Sequence, residues 1–202
     1  MTRITKAPEE RKEEIIAAAQ KLFLKKGYLK TTVSDIVKSI GVSQGIFYYY
    51  FPSKEMVIDE IVVRYMNLHL TEAKKILENA ELSPLMKMEY MAKSQHKINN
   101  RENLNIHLIK GVDIHERILH RLVTDYVPLM VEAFGKDNAS QADLKIELFV
   151  AASNLLFDPG LFPWSKEERN RRIEFMISFM EDSLDVSRGT FFFYRELMGY
   201  LE

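Results

Sequence analysis

Hydroxyl, amide and amine side chains cluster between residues 31 and 54, and their chemistry suits phosphate and base recognition. Thr32, Ser43 and Lys54 each lie at or beside a predicted helix start, where unpaired N–H groups and the helix dipole attract phosphates. Tyrosine and serine hydroxyls donate to phosphates, and a glutamine amide pairs with base edges. A helix over Gln44–Tyr50 would present outward the side chains of Ser43, Gln44, Tyr48 and Tyr49.

Two short helices must position these side chains. Thr32 and Asp35 have the spacing of a capping box at the start of the first. Gly41 permits a tight turn without a Cβ clash, and Ser43 is expected to cap the second. Gly45 lets the front of that second helix approach a surface closely. The spacing predicts a helix-turn-helix.

Each of these residues also has a purely structural interpretation. Thr32 and Ser43 are ordinary helix caps, and Tyr48 and Tyr49 are ordinary packing residues. Their combination in this order favours nucleic-acid binding over capping and packing alone.

The same stretch resembles the DNA-binding domain of the TetR/AcrR family of bacterial transcriptional regulators. The family pattern G-[FY]-x-x-T-T … G-V-S-x-G-x-[FL]-Y-x-[HY]-F-x-x-K is present from Gly27 to Lys54, and the resemblance covers roughly residues 9–57. A mild departure is Val37 followed by Lys38-Ser39-Ile40, where alanines are commoner.

The resemblance implies an all-helical homodimer of about nine to ten helices per chain. It implies a helix-turn-helix DNA-binding domain over residues 1–53 and a ligand-binding and dimerisation domain over 54–202. Most such proteins are repressors that a small ligand releases from a two-fold operator, whose half-sites lie about 34–36 Å apart. Carried onto this chain, phosphates would be held by Thr32, Ser43, Tyr48 and Lys54, and base edges would be approached by Gln44, Gly45 and Tyr49.

Composition and periodicity support an all-α, DNA-binding protein. Residues 1–56 carry 10 Lys and Arg against 6 Asp and Glu, whereas residues 57–202 carry 18 against 23, so the N-terminal part is basic and the remainder is acidic. The absence of Cys excludes disulfides and cysteine-based zinc sites. Since no signal peptide or spanning segment is recognisable, we expect a cytoplasmic protein with no membrane partner.

The C-terminal part says less about chemistry. An apolar effector would lie among aromatic, methionine and histidine side chains, although plain core packing explains each of them as well. Dimerisation is expected through helices Ser140–Phe157 and Lys166–Leu184, with Ile173, Ile177 and Met180 on the second, although such an apolar stripe is equally expected if it faces the chain's own core. The candidate pocket residues are Tyr65, Met66, Tyr90, Met91, His107, Tyr126 and Phe149.

No cofactor or metal site is predicted. His107, His115 and His120 lack a tight ligand spacing. The aromatic segment 190–201 is expected to cover a pocket, extend a dimer seam or pack back on the preceding helix, and the residues do not select among these. Two other functions remain open: a DNA-binding regulator controlled by a protein partner, and a helical enzyme, against which stands the lack of a nucleophile elbow, Gly-rich phosphate loop or metal motif.

Overall fold

The computed structural model describes residues 7–99, 106–134, 164–183, 187–192 and 195, and these residues form helices and connecting turns without strands. The predicted all-α class is therefore confirmed. Within the described ranges, no helix combines the length and the apolar character needed to cross a bilayer. The helices are α1 Pro8–Lys26, α2 Val33–Ser39, α3 Gln44–Tyr50, α4 Lys54–Leu77, α5 Pro84–Asn99, α6 Ile114–Arg121, α7 Val127–Phe134 and α8 Lys166–Ser183.

Local chemistry sets both ends of α1 and the start of α2, and the start of α2 is as the sequence predicts. Pro8 occupies the start of α1, where its missing N–H has no helical partner to lose. Gly27 ends α1 at φ 86°, and its N–H donates to the Phe23 carbonyl. At α2, Thr32 and Asp35 form the capping box: the Asp35 N–H donates to Thr32 Oγ1 at 3.1 Å, and the Thr32 N–H donates to Asp35 Oδ2 at 2.8 Å.

The start of α3 differs from the prediction. Ser43 is the N-cap residue, but in the part of the chain that the structure describes its side chain makes no capping hydrogen bond. The helix begins where predicted because the backbone at Ser43 is extended, not because the hydroxyl closes the first turn. The prediction that the Ser43 side chain caps α3 is therefore wrong.

Contacts divide the chain into two compact units, and the division differs from the predicted boundary between residues 53 and 54. The first unit comprises Met1–Tyr65 and Glu102–Arg117, and the second comprises Met66–Arg101 and Ile118–Glu202. The first unit therefore includes the first half of α4 and a segment that follows it by more than 35 residues. We call the described part of that segment, residues 106–117, the strap.

The strap is joined to the loop between α1 and α2. The Tyr28 N–H donates to the Lys110 carbonyl at 2.7 Å. A Cβ at Gly27 would lie 3.2 Å from that same oxygen, and a Cβ at Gly111 would lie 2.9 Å from Leu29 Cγ. Both glycines also have positive φ, so the approach of the two backbones depends on them.

Ion pairs join the strap to α4 as well. The Arg117 guanidinium donates to Asp59, and its second terminal nitrogen lies 2.8 Å from Glu55 Oε1. The two carboxylates are one helical turn apart, so one guanidinium spans both. The strap is thereby attached to the first unit at its middle and at its end.

In the second unit a π-helical turn, Leu122–Tyr126, lies between α6 and α7, just before Pro128. Proline has no N–H to continue the α-helical pattern, and the Val127 N–H reaches back to the Leu122 carbonyl instead. Within this unit, Gln95 Nε2 donates to the buried Tyr126 hydroxyl at 3.0 Å.

The last described helix, α8, begins at a capping box, where the Glu168 N–H donates to Ser165 Oγ. Buried Glu181 accepts hydrogen bonds from the N–H groups of Gly189 and Phe191, at 2.8 and 3.3 Å. Phe191 is itself buried. Of the three expectations for the aromatic segment, the structure shows the third, packing back on the preceding helix, for residues 187–192.

The Asp35 carboxylate provides a pH-dependent test of this N-terminal arrangement. Hydrogen bonds from Lys26 and Thr32 hold the pKa of Asp35 well below its ordinary value of 3.8. A lowered folded-state pKa stabilises the fold above the unfolded-state pKa, and this stabilisation is lost as the pH falls through the folded-state value. We expect Asp35→Asn to lower the melting temperature at pH 7, with the difference from the parent narrowing below about pH 4.

Lys26, the partner of Asp35 in the ion pair, provides the control variant. Lys26→Met should show the same pH pattern, and the double variant should lose less than the sum of the single losses, because Lys26 Nζ lies 2.7 Å from Asp35 Oδ2. If the melting temperatures of Asp35→Asn and the parent differ by the same amount at pH 7 and at pH 3, the lowered pKa assigned to Asp35 is contradicted.

Candidate nucleic-acid interface

A single buried aromatic side chain orients α3. Phe47, at the middle of the helix, is completely buried, and Phe51 just after the helix is buried too. Their rings lie 6.0 Å apart between centroids. With this side of α3 in the core, its other side faces outward.

The outward side carries the residues predicted to meet DNA. Tyr48 and Tyr49 expose 52% and 77% of their surface. Ser43, Gln44 and Gly45 are exposed as well. The structure therefore brings these five sequence-predicted residues together on one exposed surface, which we call the α3 face.

Neighbouring rings hold the tyrosines of the α3 face. Tyr48 packs edge-on against Phe47 at 5.5 Å between centroids, and Tyr49 packs edge-on against Tyr50 at 4.9 Å. Such pairs restrict the rings without consuming their hydroxyls. The face therefore presents oriented aromatic groups together with an amide.

Thr32, the sixth predicted contact, is exposed, but its hydroxyl already makes hydrogen bonds within the chain. Its Oγ1 donates to Asp35 Oδ2 at 2.7 Å while accepting the Asp35 N–H, and the Asp35 carboxylate also binds Lys26. The neighbouring Thr31, which the sequence did not single out, is buried, and its hydroxyl donates to the Gly27 carbonyl at 2.8 Å. Thr32 thus caps the start of α2, and Thr31 holds the loop before it.

Lys54, the seventh predicted contact, has a structural task that the sequence did not indicate. Its ammonium donates to the carbonyls of Tyr28 and Thr31, each at 2.8 Å, and lies 4.0 Å above the centre of the Tyr28 ring. Burial lowers the pKa of Lys54. Since an ammonium has three N–H donors, these two bonds leave one, and a phosphate contact by Lys54 stays a prediction.

The residues predicted to form an effector pocket fall into two groups. Tyr65 and His107 belong to the first unit, where their side chains meet at 2.9 Å between Tyr65 Oη and His107 Nε2. Met66, Met91 and Tyr126 are buried in the second unit, whereas Tyr90 of that unit is 47% exposed. Phe149 lies outside the described residues.

A cavity of about 200 Å³ opens in the first unit between α1, α4 and the strap. Among the seven pocket candidates Tyr65 lines it, and a hydrogen-bonded pair of Arg64 with Glu13 stands at its edge. Its other lining residues are Ile16, Ala17, Gln20, Ile61 and Ile106. The cavity therefore does not unite the predicted pocket residues.

Comparison with known proteins agrees with the geometry of the N-terminal part. Residues 15–61 match the family model described as bacterial regulatory proteins, tetR family. The chain is 36% identical over 75 residues to the uncharacterized HTH-type transcriptional regulator YerO of Bacillus subtilis, covering 37% of this chain and 26% of that protein. The chain thus spans about a quarter of the length of this relative.

Two longer matches extend beyond that region. The HTH-type transcriptional repressor KstR2 of Rhodococcus jostii is 26% identical over 153 residues, covering 71% of this chain and 74% of that protein. A crystal structure of a tetR-family transcriptional regulator from Streptomyces coelicolor superposes with a TM-score of 0.57 at 13% identity, covering 96% of this chain and 90% of that one. The second likeness extends the shared fold over nearly the whole chain.

The two roles of Lys54 are separable by measuring stability without any ligand. Lys54→Met keeps the aliphatic stem but removes the ammonium donor from the Tyr28 and Thr31 carbonyls, of which the Tyr28 carbonyl retains the Thr31 N–H. We expect the free energy of unfolding in urea to fall by about 1.5 kcal/mol, the low end for hydrogen bonds to charged groups because the site is partly exposed. Lys21→Met, at an exposed lysine of α1, is the matched control and should change it by less than about 0.5 kcal/mol. Equal stability of the two variants would contradict the structural role.

Proposed function

We propose that the chain, whose residues 15–61 match the TetR family model, is a sequence-specific DNA-binding transcriptional regulator of that family. The observation that carries the proposal is the α3 face: Phe47 is buried while Gln44, Tyr48 and Tyr49 are exposed on one short helix. A helix with this arrangement suits the major groove, whose width admits an α-helix and whose base edges an amide can read.

Within that proposal the predicted contacts have distinct tasks. Ser43 and Tyr48 would donate hydroxyls to phosphates, and Gln44, Gly45 and Tyr49 would lie closest to base edges. Thr32 and Lys54 would contact phosphates while keeping the capping box and the loop in place. Their existing hydrogen bonds favour this double use, because a residue already fixed by the fold loses little freedom on binding.

Repression and release by a small hydrophobic effector complete the proposal. KstR2, which resembles most of this chain, is named a repressor. The effector would bind in the second unit, near the candidates Met66, Met91 and Tyr126. The part-buried Gln95–Tyr126 hydrogen bond in that unit supplies polar atoms beside buried apolar side chains, the composition expected of such a site.

We further propose that the regulator acts as a homodimer, so that two α3 faces read two half-sites. The predicted dimer stripe needs correction: Ile173, Ile177 and Met180 of α8 are buried within a single chain, so the chain's own core uses them. Phe175 on the same helix is 74% exposed. A large exposed aromatic side chain is typical of an interface core.

Gly45 allows a prediction in which stability and binding change in opposite directions. A Cβ at Gly45 would meet Ser43 Oγ at 3.8 Å, an ordinary contact. We expect Gly45→Ala to raise the free energy of unfolding by about 0.5 kcal/mol, since Ala is the better helix former, and to weaken operator binding because the methyl group separates α3 from the base edges. Urea unfolding and fluorescence anisotropy with operator DNA measure the two effects.

Gln44→Ala is the companion variant for base reading. It should leave unfolding nearly unchanged and relax the base preference in a randomised-site selection, with a loss of about 1–3 kcal/mol on the best site. An operator affinity of Gly45→Ala equal to the parent's would refute the close approach of α3, whatever the stability.

The dimer is tested on α8. We expect Phe175→Asp to shift sedimentation from dimer to monomer at micromolar concentration and to weaken operator binding, because one chain then reads only one half-site. Phe192→Asp, at another exposed aromatic residue of the second unit, should remain dimeric. Dissociation by both variants, or by neither, would rule out Phe175 as the specific contact.

A further inference from the structure

The α3 face is built entirely from uncharged residues. Residues 39–53, which run from the end of α2 to the residue before α4, include no Lys, Arg, Asp or Glu. In the major groove, Arg and Lys bind the O6 and N7 acceptors of guanine, and Asp and Glu accept from the amino group of cytosine. The helix that the core turns outward therefore lacks the side chains that most often select a G·C pair.

Gln44 gives the α3 face an amide that matches one base in particular. The residue is exposed, and its side chain combines a carbonyl oxygen with two N–H donors. Adenine presents the complementary pair in the major groove, an N6 amino donor beside the N7 acceptor, and a glutamine bonds both at once. The hydroxyls of Ser43 and Tyr48 suit phosphates and several base edges alike. Gln44 is therefore the residue of the face that favours adenine.

Tyr49 adds an apolar surface next to an open space. The residue is 77% exposed, and its ring packs edge-on against Tyr50 at 4.9 Å between centroids. Gly45 lies one helical turn before it, and a Cβ there would meet only Ser43 Oγ, at 3.8 Å. Thymine projects its C5-methyl group into the major groove. The space at Gly45 accommodates such a methyl group, and the Tyr49 ring would shield it from water.

The two features are close enough to act on one short stretch of duplex. Gln44 and Tyr49 are five residues apart in α3, which corresponds to roughly 7.5 Å along a helix axis. Successive nucleotides of one DNA strand rise by about 3.4 Å. A helix lying along the groove would therefore place the adenine and the thymine within about two base pairs of each other.

We propose that α3 selects a half-site built on A·T pairs, in which Gln44 bonds an adenine and Tyr49, together with the space at Gly45, receives the methyl group of a thymine. The inference rests on the proposed DNA-binding function and adds the base pairs that are read. A guanine at the first position would set its O6 acceptor against the Gln44 carbonyl. A cytosine at the second would leave the apolar space without a methyl group.

Base analogues test both contacts with the unmutated protein. Selection from randomised duplexes identifies the bound half-site, and fluorescence anisotropy then compares duplexes in which each adenine or thymine is replaced in turn. At the contacted adenine, 7-deazaadenine exchanges only N7 for a C–H group and should weaken binding about fivefold, the loss of one hydrogen bond. At the contacted thymine, uracil removes only the methyl group and should weaken binding about fourfold, the effect of burying one such group.

Gln44→Ala and Tyr49→Ala are the controls for each other. Gln44→Ala should bind the adenine and 7-deazaadenine duplexes equally well and keep the effect of uracil. Tyr49→Ala should lose the effect of uracil and keep that of 7-deazaadenine. Because each variant is compared only with itself on different duplexes, a change in its stability does not alter the result.

The outcomes separate this inference from the function on which it rests. Enrichment of no sequence would overturn the proposed function and the inference together. Enrichment of a half-site with a G·C pair at the position whose preference Gln44→Ala relaxes would overturn the inference alone. Analogues without effect on the parent would do the same. Analogue effects that persist in both variants would assign the preference to the shape of the duplex and would also overturn it.

Discussion

The orientation of α3 depends on the burial of one side chain, Phe47. A helix of seven residues is too short to be stable in water by itself, since nucleation costs more than so few hydrogen bonds return. Its stability must come from packing, and the residue at its centre that is completely buried is Phe47. Fixing that ring fixes the rotation of the helix about its axis. The exposure of Gln44, Tyr48 and Tyr49 follows from the core rather than from their own polarity.

The position of α2 depends in turn on backbone carbonyls in the loop before it. Lys54 binds the carbonyls of Tyr28 and Thr31 from α4, and Lys110 accepts the Tyr28 N–H from the strap. Backbone groups in a partly buried loop are stabilised by such partners. The α3 face is consequently supported by residues that lie far beyond the helix-turn-helix in sequence. A change in the strap would reach the loop through the Tyr28–Lys110 hydrogen bond and the close approach of Gly111 to Leu29.

Apart from the Ser43 cap, which does not form, sequence reasoning succeeded where the interacting residues are at most four positions apart. The capping boxes at Thr32 and Ser165 and the end of α1 at Gly27 were predictable because their partners share a turn. The bonds of Lys54 and the contact between Tyr65 and His107 were not, because they depend on where the chain returns. Periodicity also misled: an apolar stripe on α8 has the same spacing whether it faces a partner or the chain's own core, and Ile173, Ile177 and Met180 face the core.

The glycines separate what the fold requires from what an external partner would require. Gly27 and Gly111 combine positive φ with neighbours too close for a Cβ, and Gly41 has positive φ at 70°, so the fold itself accounts for all three. Gly45 has neither property, yet it lies in a helix, where glycine costs about 0.5–1 kcal/mol relative to alanine. Among the described residues nothing lies close enough to Gly45 to require the missing Cβ. The proposed close approach of α3 to the floor of a DNA groove would account for a glycine there.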